Sequence, residues 1–216
     1  MLPALYLMVL KAQESTPGTV EVDGHVARGI DLGWIDIHDG VGTYASGSDL
    51  ALTAYVRTYY NPNKWRGIQR TIHLFDTTAI LANWHLVKVT LSIYGTGSYD
   101  DIPMSPTLNV FEVNPANLDK VVMADYDKFE AYPLSNYPHT IASYNTSGFN
   151  DFVLNAAGRS RIVKGGITPL GLREATADAP NIEPVWSDSN ASGFDWVSSF
   201  DSDSSKHAYL TIVYTK

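Results

Sequence analysis

The sequence predicts an all-β fold, specifically a single-domain antiparallel β-sandwich of jelly-roll type with one or two short helices. Three observations point there. Apolar and polar residues alternate along several runs, the pattern of half-buried strands. Asp outnumbers Glu by 17 to 6, and Asp favours turns and caps whereas Glu favours helices. Charged residues make up only 18% of the 216 residues, below the roughly 25% of ordinary globular domains. Long solvated helices are therefore not expected.

Residues 1–19 are expected to form an apolar arm or strand, and residues 20–216 the sandwich. The first ten residues, Met1 to Leu10, carry no charge. They lack the basic leading region of an export signal, contain Pro3, and run into Lys11 rather than a small-residue cleavage site. They are also too few to span a bilayer. Packing on the body or on a neighbouring subunit is the expected role, through Leu5, Leu7 and Val9.

Strands are expected at Val26–Ile37, Leu50–Tyr59, Thr71–Phe75, Val87–Tyr94, Thr107–Val113, Phe149–Leu154, Ile167–Arg173 and Ala208–Tyr214. The alternation is clearest in Val87, Val89, Leu91 and Ile93, and again in Leu210, Ile212 and Tyr214. Turns are expected at Asp39-Gly40, Asn61-Pro-Asn63, Gly95-Thr-Gly97, Asn114-Pro115 and Gly165-Gly166. A short helix is expected at Ala156–Val163, capped by Asn155, and a second turn of helix around Leu118–Met123. The stretch 175–205 reads as a long loop, with a short strand near Trp186. Its aromatics argue against disorder.

The sequence offers little catalytic chemistry. It contains no GxSxG elbow, P-loop, GxGxxG after a strand, or HExxH. There is no cysteine, hence no disulfide framework, thiolate metal site or cysteine nucleophile. A retaining glycosidase needs two carboxylates presented together; Glu112 is the only Glu inside an expected strand and stands alone. A non-enzymatic protein without a cofactor is expected. The net charge of −8 disfavours nucleic acid and anionic membrane as partners.

Two weaker signals concern ligands. Asp201 and Asp203, in a Ser-rich run, could supply oxygens to a structural Ca²⁺, although Asp side chains equally cap polar turns. Trp34-Ile-Asp36-Ile-His38-Asp39-Gly40 and Asp100-Asp101 offer further donors. Aromatics gather at Tyr55, Tyr59, Tyr60 and Trp65, and again at Trp186, Phe194, Trp196 and Phe200. Three roles stay open for Tyr59, Tyr60, Trp65, Trp186 and Trp196: plugging the sandwich ends, contacting another subunit, or stacking on sugar rings.

The run Arg66-Gly-Ile-Gln-Arg70-Thr-Ile-His-Leu-Phe75-Asp76-Thr77-Thr78, followed by Leu86-Val-Lys-Val-Thr90-Leu91-Ser-Ile-Tyr94, resembles the core of DNRLRE-type β-sandwiches. That pattern is an arginine-bearing strand ending in Phe-Asp-Thr-Ser, then a strand reading Ala-Thr-Leu-x-Leu-Tyr. Val89 replaces its Ala and Thr78 its Ser. The closing Ala208-Tyr-Leu-Thr-Ile-Val-Tyr214 is similar to the family's last strand, with Ala for Pro. Further blocks, including Trp34-x-x-x-His38-Asp-Gly40, Phe149-Asn-Asp-Phe152 and Gly166-Ile-Thr168-x-Leu-Gly-Leu-Arg173, look like proteins of tailed bacteriophages. The resemblance implies a virion structural module: head decoration, or a minor tail or fibre component. It would be located in the virion and partnered by other virion proteins and by copies of itself, a trimer being the expected assembly. The alternative it implies is a carbohydrate-binding module of a bacterial or archaeal surface protein, extracellular and bound to glycans. Independently of the resemblance, Asp76 is expected to accept from backbone N–H groups of the following loop, and Arg66 or Arg70 to pair with it.

Overall fold

Residues 4–11 and 23–216 are described by the structure, a computed structural model. In chain order the elements are β1 (Tyr6–Lys11), β2 (Asp23–Leu32), α1 (Trp34–Asp39), β3 (Tyr44–Ser46), β4 (Ala51–Thr58), β5 (Trp65–Asp76), β6 (His85–Asp100), β7 (Thr107–Val113), β8 (Phe129–Pro133), β9 (His139–Thr140), β10 (Phe149–Val153), α2 (Ala156–Ser160), β11 (Ile167–Glu174), β12 (Ala191–Val197) and β13 (Tyr209–Thr215). The fold is all-β: one 13-stranded sheet joined by antiparallel pairings, with two short helices. Its main path runs β1-β13-β6-β12-β4-β5-β11-β7-β8, while β10 pairs with β6, β2 with β3 and β5, and β9 with β7. The expected division at residue 19 lies outside the described residues.

The long strand β6 carries the sheet from one layer of pairing to another. Its first part, through Tyr94, pairs with β13 and β10; from Gly95 onward it pairs with β12. Gly95 and Gly97 were expected in a turn and instead lie inside this strand. They are glycines because neighbours press against them. A Cβ on Gly95 would meet the Asn145 carbonyl oxygen at 2.2 Å, and one on Gly97 the Asp195 carboxylate at 2.8 Å.

Two apolar clusters hold the sheet. The first joins Val89, Leu91 and Ile93 of β6 to Leu210 and Ile212 of β13, Phe152 of β10, Leu170 and Leu172 of β11, and Phe194 and Trp196 of β12. The second gathers Ile68, Ile72 and Leu74 of β5 with Val26, Trp34, Ile37 and Tyr126. β5 is buried on both sides: Ile68, Ile72 and Leu74 enter the second cluster, while His73 and Phe75 on the odd side meet each other, and His73 also meets Trp196.

Several boundaries differ from expectation for local reasons. The expected strand Val26–Ile37 ends at Leu32, and Trp34–Asp39 is helical. Trp34 and Ile37 are buried while Ile35 is exposed, so the apolar residues that mimic alternation follow helical spacing. The helix capped by Asn155, whose side chain accepts from Gly158 N at 2.9 Å, forms as expected but ends at Ser160. The expected helical turn at Leu118–Met123 is displaced to a 3₁₀ turn at Met123–Asp125. The strand expected near Trp186 lies further on, at β12.

Candidate functional site

The clearest open edge among the described residues is that of strand β1. Among the described residues it pairs with β13 alone, Tyr6 opposite Tyr214, Met8 opposite Ile212 and Leu10 opposite Leu210. Alternation turns Met8 and Leu10 onto the first cluster. Tyr6 stacks on Tyr214 (centroids 5.5 Å), which stacks in turn on Trp84 (3.9 Å). The other parity points outward, leaving Leu5 65%, Leu7 68% and Val9 53% exposed. Natural edge strands are blunted by charge, proline or a bulge. Residues 4–10 contain no charge and no proline, the one charge on β1 being its last residue, Lys11, and the pairing with β13 runs without a register shift. The expected arm thus lies on its own body along one face and presents Leu5, Leu7 and Val9 on the other.

The aromatic candidates separate into core and surface. Trp65 and Trp196 are completely buried, a correction to their candidacy as contact residues. Trp65 meets Trp34 edge-on at 4.9 Å, and its Nε1 donates to Glu183 Oε1 at 3.0 Å. Trp196 Nε1 donates to His73 Nε2 at 3.2 Å. Both indole N–H groups are satisfied internally, as buried Trp requires. Trp186 is half-buried and donates to the Lys64 carbonyl at 3.1 Å. Tyr59 and Tyr60 pack ring to ring at 4.2 Å, with Tyr60 on the surface.

Asp201 and Asp203 form a capped turn. Asp201 Oδ1 accepts from Asp203 N at 2.8 Å. Asp203 accepts from Ser205 Oγ at 2.5 Å and pairs with the Lys206 ammonium at 2.9 Å. The Ser205 hydroxyl and Lys206 hold the Asp203 carboxyl down to about 2. A lysine ammonium thus engages the carboxylate expected to hold Ca²⁺. Among the described residues no group of three or more His, Asp or Glu side chains converges as a metal site.

The chemistry around Asp76 also divides. Asp76 Oδ1 accepts from Thr78 N at 2.9 Å, as expected. Arg70 reaches elsewhere, into a buried cluster where Asp178 binds Arg70 Nη2 at 2.6 Å and Arg173 Nη2 at 2.8 Å. Nearby, Glu174 collects the amides of Thr107, Thr176, Ala177 and Asp178. These carboxylates order the start of the stretch that reads as a loop.

A cleft lies beside β8 that was not among the expected sites. Its volume is about 480 Å³, and its lining includes Glu112 of β7, Glu130 and Tyr132 of β8, and Arg161 after α2. Glu112 therefore does not stand alone, a correction that follows from the pairing of β7 with β8. Arg161 Nη2 sits 2.9 Å from Glu112 Oε2. Tyr132 is 83% exposed. The signal in the sequence was a repeated Tyr-Pro, at Tyr132-Pro133 and Tyr137-Pro138, because proline in a sheet belongs at edges.

No protein-family model matches the chain, and no curated protein matches it.

Proposed function

We propose that the chain is a non-enzymatic structural and interaction module of a tailed-bacteriophage particle, and that it joins copies of itself through β1. The observation that carries this reading is the edge strand β1, whose one charged residue is its last, Lys11, with Leu5, Leu7 and Val9 turned outward. An antiparallel pair of β1 strands about a two-fold axis, a dimer contact in place of the expected trimer, is self-complementary. It would satisfy the open backbone groups of both edges and cover both apolar rows. Burying one leucine fully contributes about 1.5–3 kcal/mol, so three outward apolar residues per copy are a substantial drive. The net charge of −8 makes most of the surface mutually repulsive and leaves the uncharged run 4–10 as the least repulsive contact.

The phage context comes from the motif resemblance in the Arg66–Thr78, Leu86–Tyr94 and Ala208–Tyr214 runs. The experiment that tests it is protein mass spectrometry of purified phage particles from a lysate encoding this chain. Recovery at a copy number comparable to other structural proteins supports the proposal; particles that form without the chain and do not contain it contradict it.

A further inference from the structure

We propose that the cleft between α2 and the first residues of β6 binds a small organic phosphate, its phosphoryl group held by Arg159 and Lys164 and its apolar body laid against Val87. This goes beyond the assembly role and uses a surface other than β1. β10 stops pairing with β6 at Val153 opposite Thr90, and Leu154 N then donates to the Val89 carbonyl oxygen at 2.9 Å. The chain turns away into α2, so on that side His85–Lys88 have no strand partner among the described residues. The space left there is a cleft of about 480 Å³ whose lining includes His85, Val87, Arg159, Ser160, Ile162 and Lys164. That volume falls within the range of small-molecule sites.

Charge selects the class of ligand. On a chain of net charge −8, the ionisable side chains described on this lining are all basic: His85, Arg159 and Lys164. Neither Arg159 nor Lys164 has a carboxylate partner among the described residues. Both are tethered to backbone carbonyls instead. Arg159 Nη1 donates to Leu154 O at 3.2 Å, and Lys164 Nζ to Ala82 O at 3.1 Å and to Trp84 O at 2.5 Å. These bonds hold the two cations in place without neutralising them, and they leave Arg159 Nε and Nη2 as donors for a ligand. A phosphoryl group, with a charge of about −1.5 to −2 and three strong acceptor oxygens, suits a guanidinium and an ammonium on one lining.

Screening selects a compact ligand. Charges are felt over about 8 Å at physiological salt, so an anion seated in the cleft senses its basic lining. A duplex or an anionic membrane spans far more surface and meets the acidic remainder of the chain. The uncharged part of the lining selects an organic body, since Val87 is exposed beside the buried Leu86 and Ile162. The site is hidden in the sequence because His85 lies on β6 while Arg159 and Lys164 lie in and after α2. Only the end of β10 brings the two segments to one cleft.

The test is isothermal titration calorimetry of the intact protein with phenyl phosphate, inorganic phosphate and a single-stranded oligonucleotide as separate probes. Arg159→Gln, Lys164→Gln and Val87→Glu are compared with wild type, and Lys120→Gln, on a different cleft, controls for the loss of a positive charge. Val87→Glu sets a carboxylate on the lining without removing a hydrogen bond, so it decides the matter even where the other two variants lower the melting temperature. Phenyl phosphate should bind more tightly than inorganic phosphate or the oligonucleotide. Its affinity should fall about tenfold or more in each cleft variant and stay unchanged in Lys120→Gln. No binding of phenyl phosphate at millimolar concentration overturns the proposal. So does either other probe binding as tightly, an affinity that survives Val87→Glu, or an equal loss in Lys120→Gln.

Discussion

Arg70 and Asp178, separated by more than a hundred residues, form a buried ion pair with Nη2 2.6 Å from Oδ1. Arg70 Nε also donates to Asp178 Oδ2 at 3.0 Å, and Arg173 clasps the same carboxylate from its other side. The guanidinium of Arg70 lies over the Tyr126 ring at 4.2 Å. This cluster ties β5 and β11 to the segment after Glu174. Removing the shared carboxylate would leave two buried guanidinium groups facing each other. Asp178→Asn is expected to cost about 3–5 kcal/mol of stability, measured as a shift in the urea unfolding midpoint. A shift under about 0.5 kcal/mol, the range of ordinary surface substitutions, would contradict this account.

Acid should destabilise the protein in two windows. Burial lowers the His25 pKa from 6.5, with Asp49 partly offsetting it. The unfolded chain then binds the proton more readily, so this contribution is complete above about pH 6.5 and is lost as pH falls below it. Burial resists ionisation of Asp178, but Arg173 and Arg70 outweigh it and place the carboxyl far below the ordinary 3.8. Its contribution is intact above about pH 4 and is lost below that. Burial pushes the Glu174 carboxyl up, an effect of opposite sign that flattens the curve at mildly acid pH. Urea melts from pH 8 to 3 check this. His25→Gln should remove most of the loss near pH 6, and Asp178→Asn the loss near pH 3.

Trp196→Ala should act as a core truncation, costing about 3–5 kcal/mol. Tyr60→Ala should stay within about 0.5 kcal/mol of wild type. Thermal unfolding of the two variants distinguishes a core plug from a surface ring, and equal effects would contradict the placement of Trp196.

Gly95→Ala should destabilise by about 1–3 kcal/mol, because its Cβ would collide with a backbone oxygen that cannot rotate away. Gly165→Ala meets nothing within 4 Å, but Gly165 has φ +77°, so its cost should come from the left-handed backbone, about 1 kcal/mol or a little more. Melting temperatures of the pair test whether Gly95 is a packing glycine inside a strand.

The strands most legible in the sequence are those whose apolar and polar residues alternate, whether one face is buried, as in β13, or both, as in β7. The eight residues Val87–Tyr94 alternate and lie within β6, Thr107–Val113 matches β7, and the C-terminal strand is displaced by a single residue. Legibility fails where the residue types do not alternate or follow another period. β12 holds Ser192, Gly193, Phe194, Trp196 and Val197 all buried, so it shows no alternation to read. Ile35 and Ile37 alternate as in a strand, whereas the buried pair Trp34 and Ile37 follows helical spacing. Of the candidate site, Leu5, Leu7 and Val9 are legible because an uncharged run at the start of a chain is conspicuous. The β8 cleft is not, because Glu112, Glu130 and Arg161 meet only through the pairing of β7 with β8 and the position of α2. Trp65 and Trp196 mislead for a general reason: a large aromatic in a polar-looking stretch reads as surface until its core partners are known.

The central claim, self-association through β1, is tested most directly by sedimentation velocity over a hundredfold range of protein concentration. Wild type is compared with Leu7→Lys, which places a charge in the middle of the outward row without touching Met8 or Leu10. The account predicts a concentration-dependent oligomer for wild type and a monomer for Leu7→Lys at every concentration, with unchanged thermal stability measured on the dilute monomer. A wild-type chain that stays monomeric throughout, or an oligomer that persists in Leu7→Lys, would contradict it.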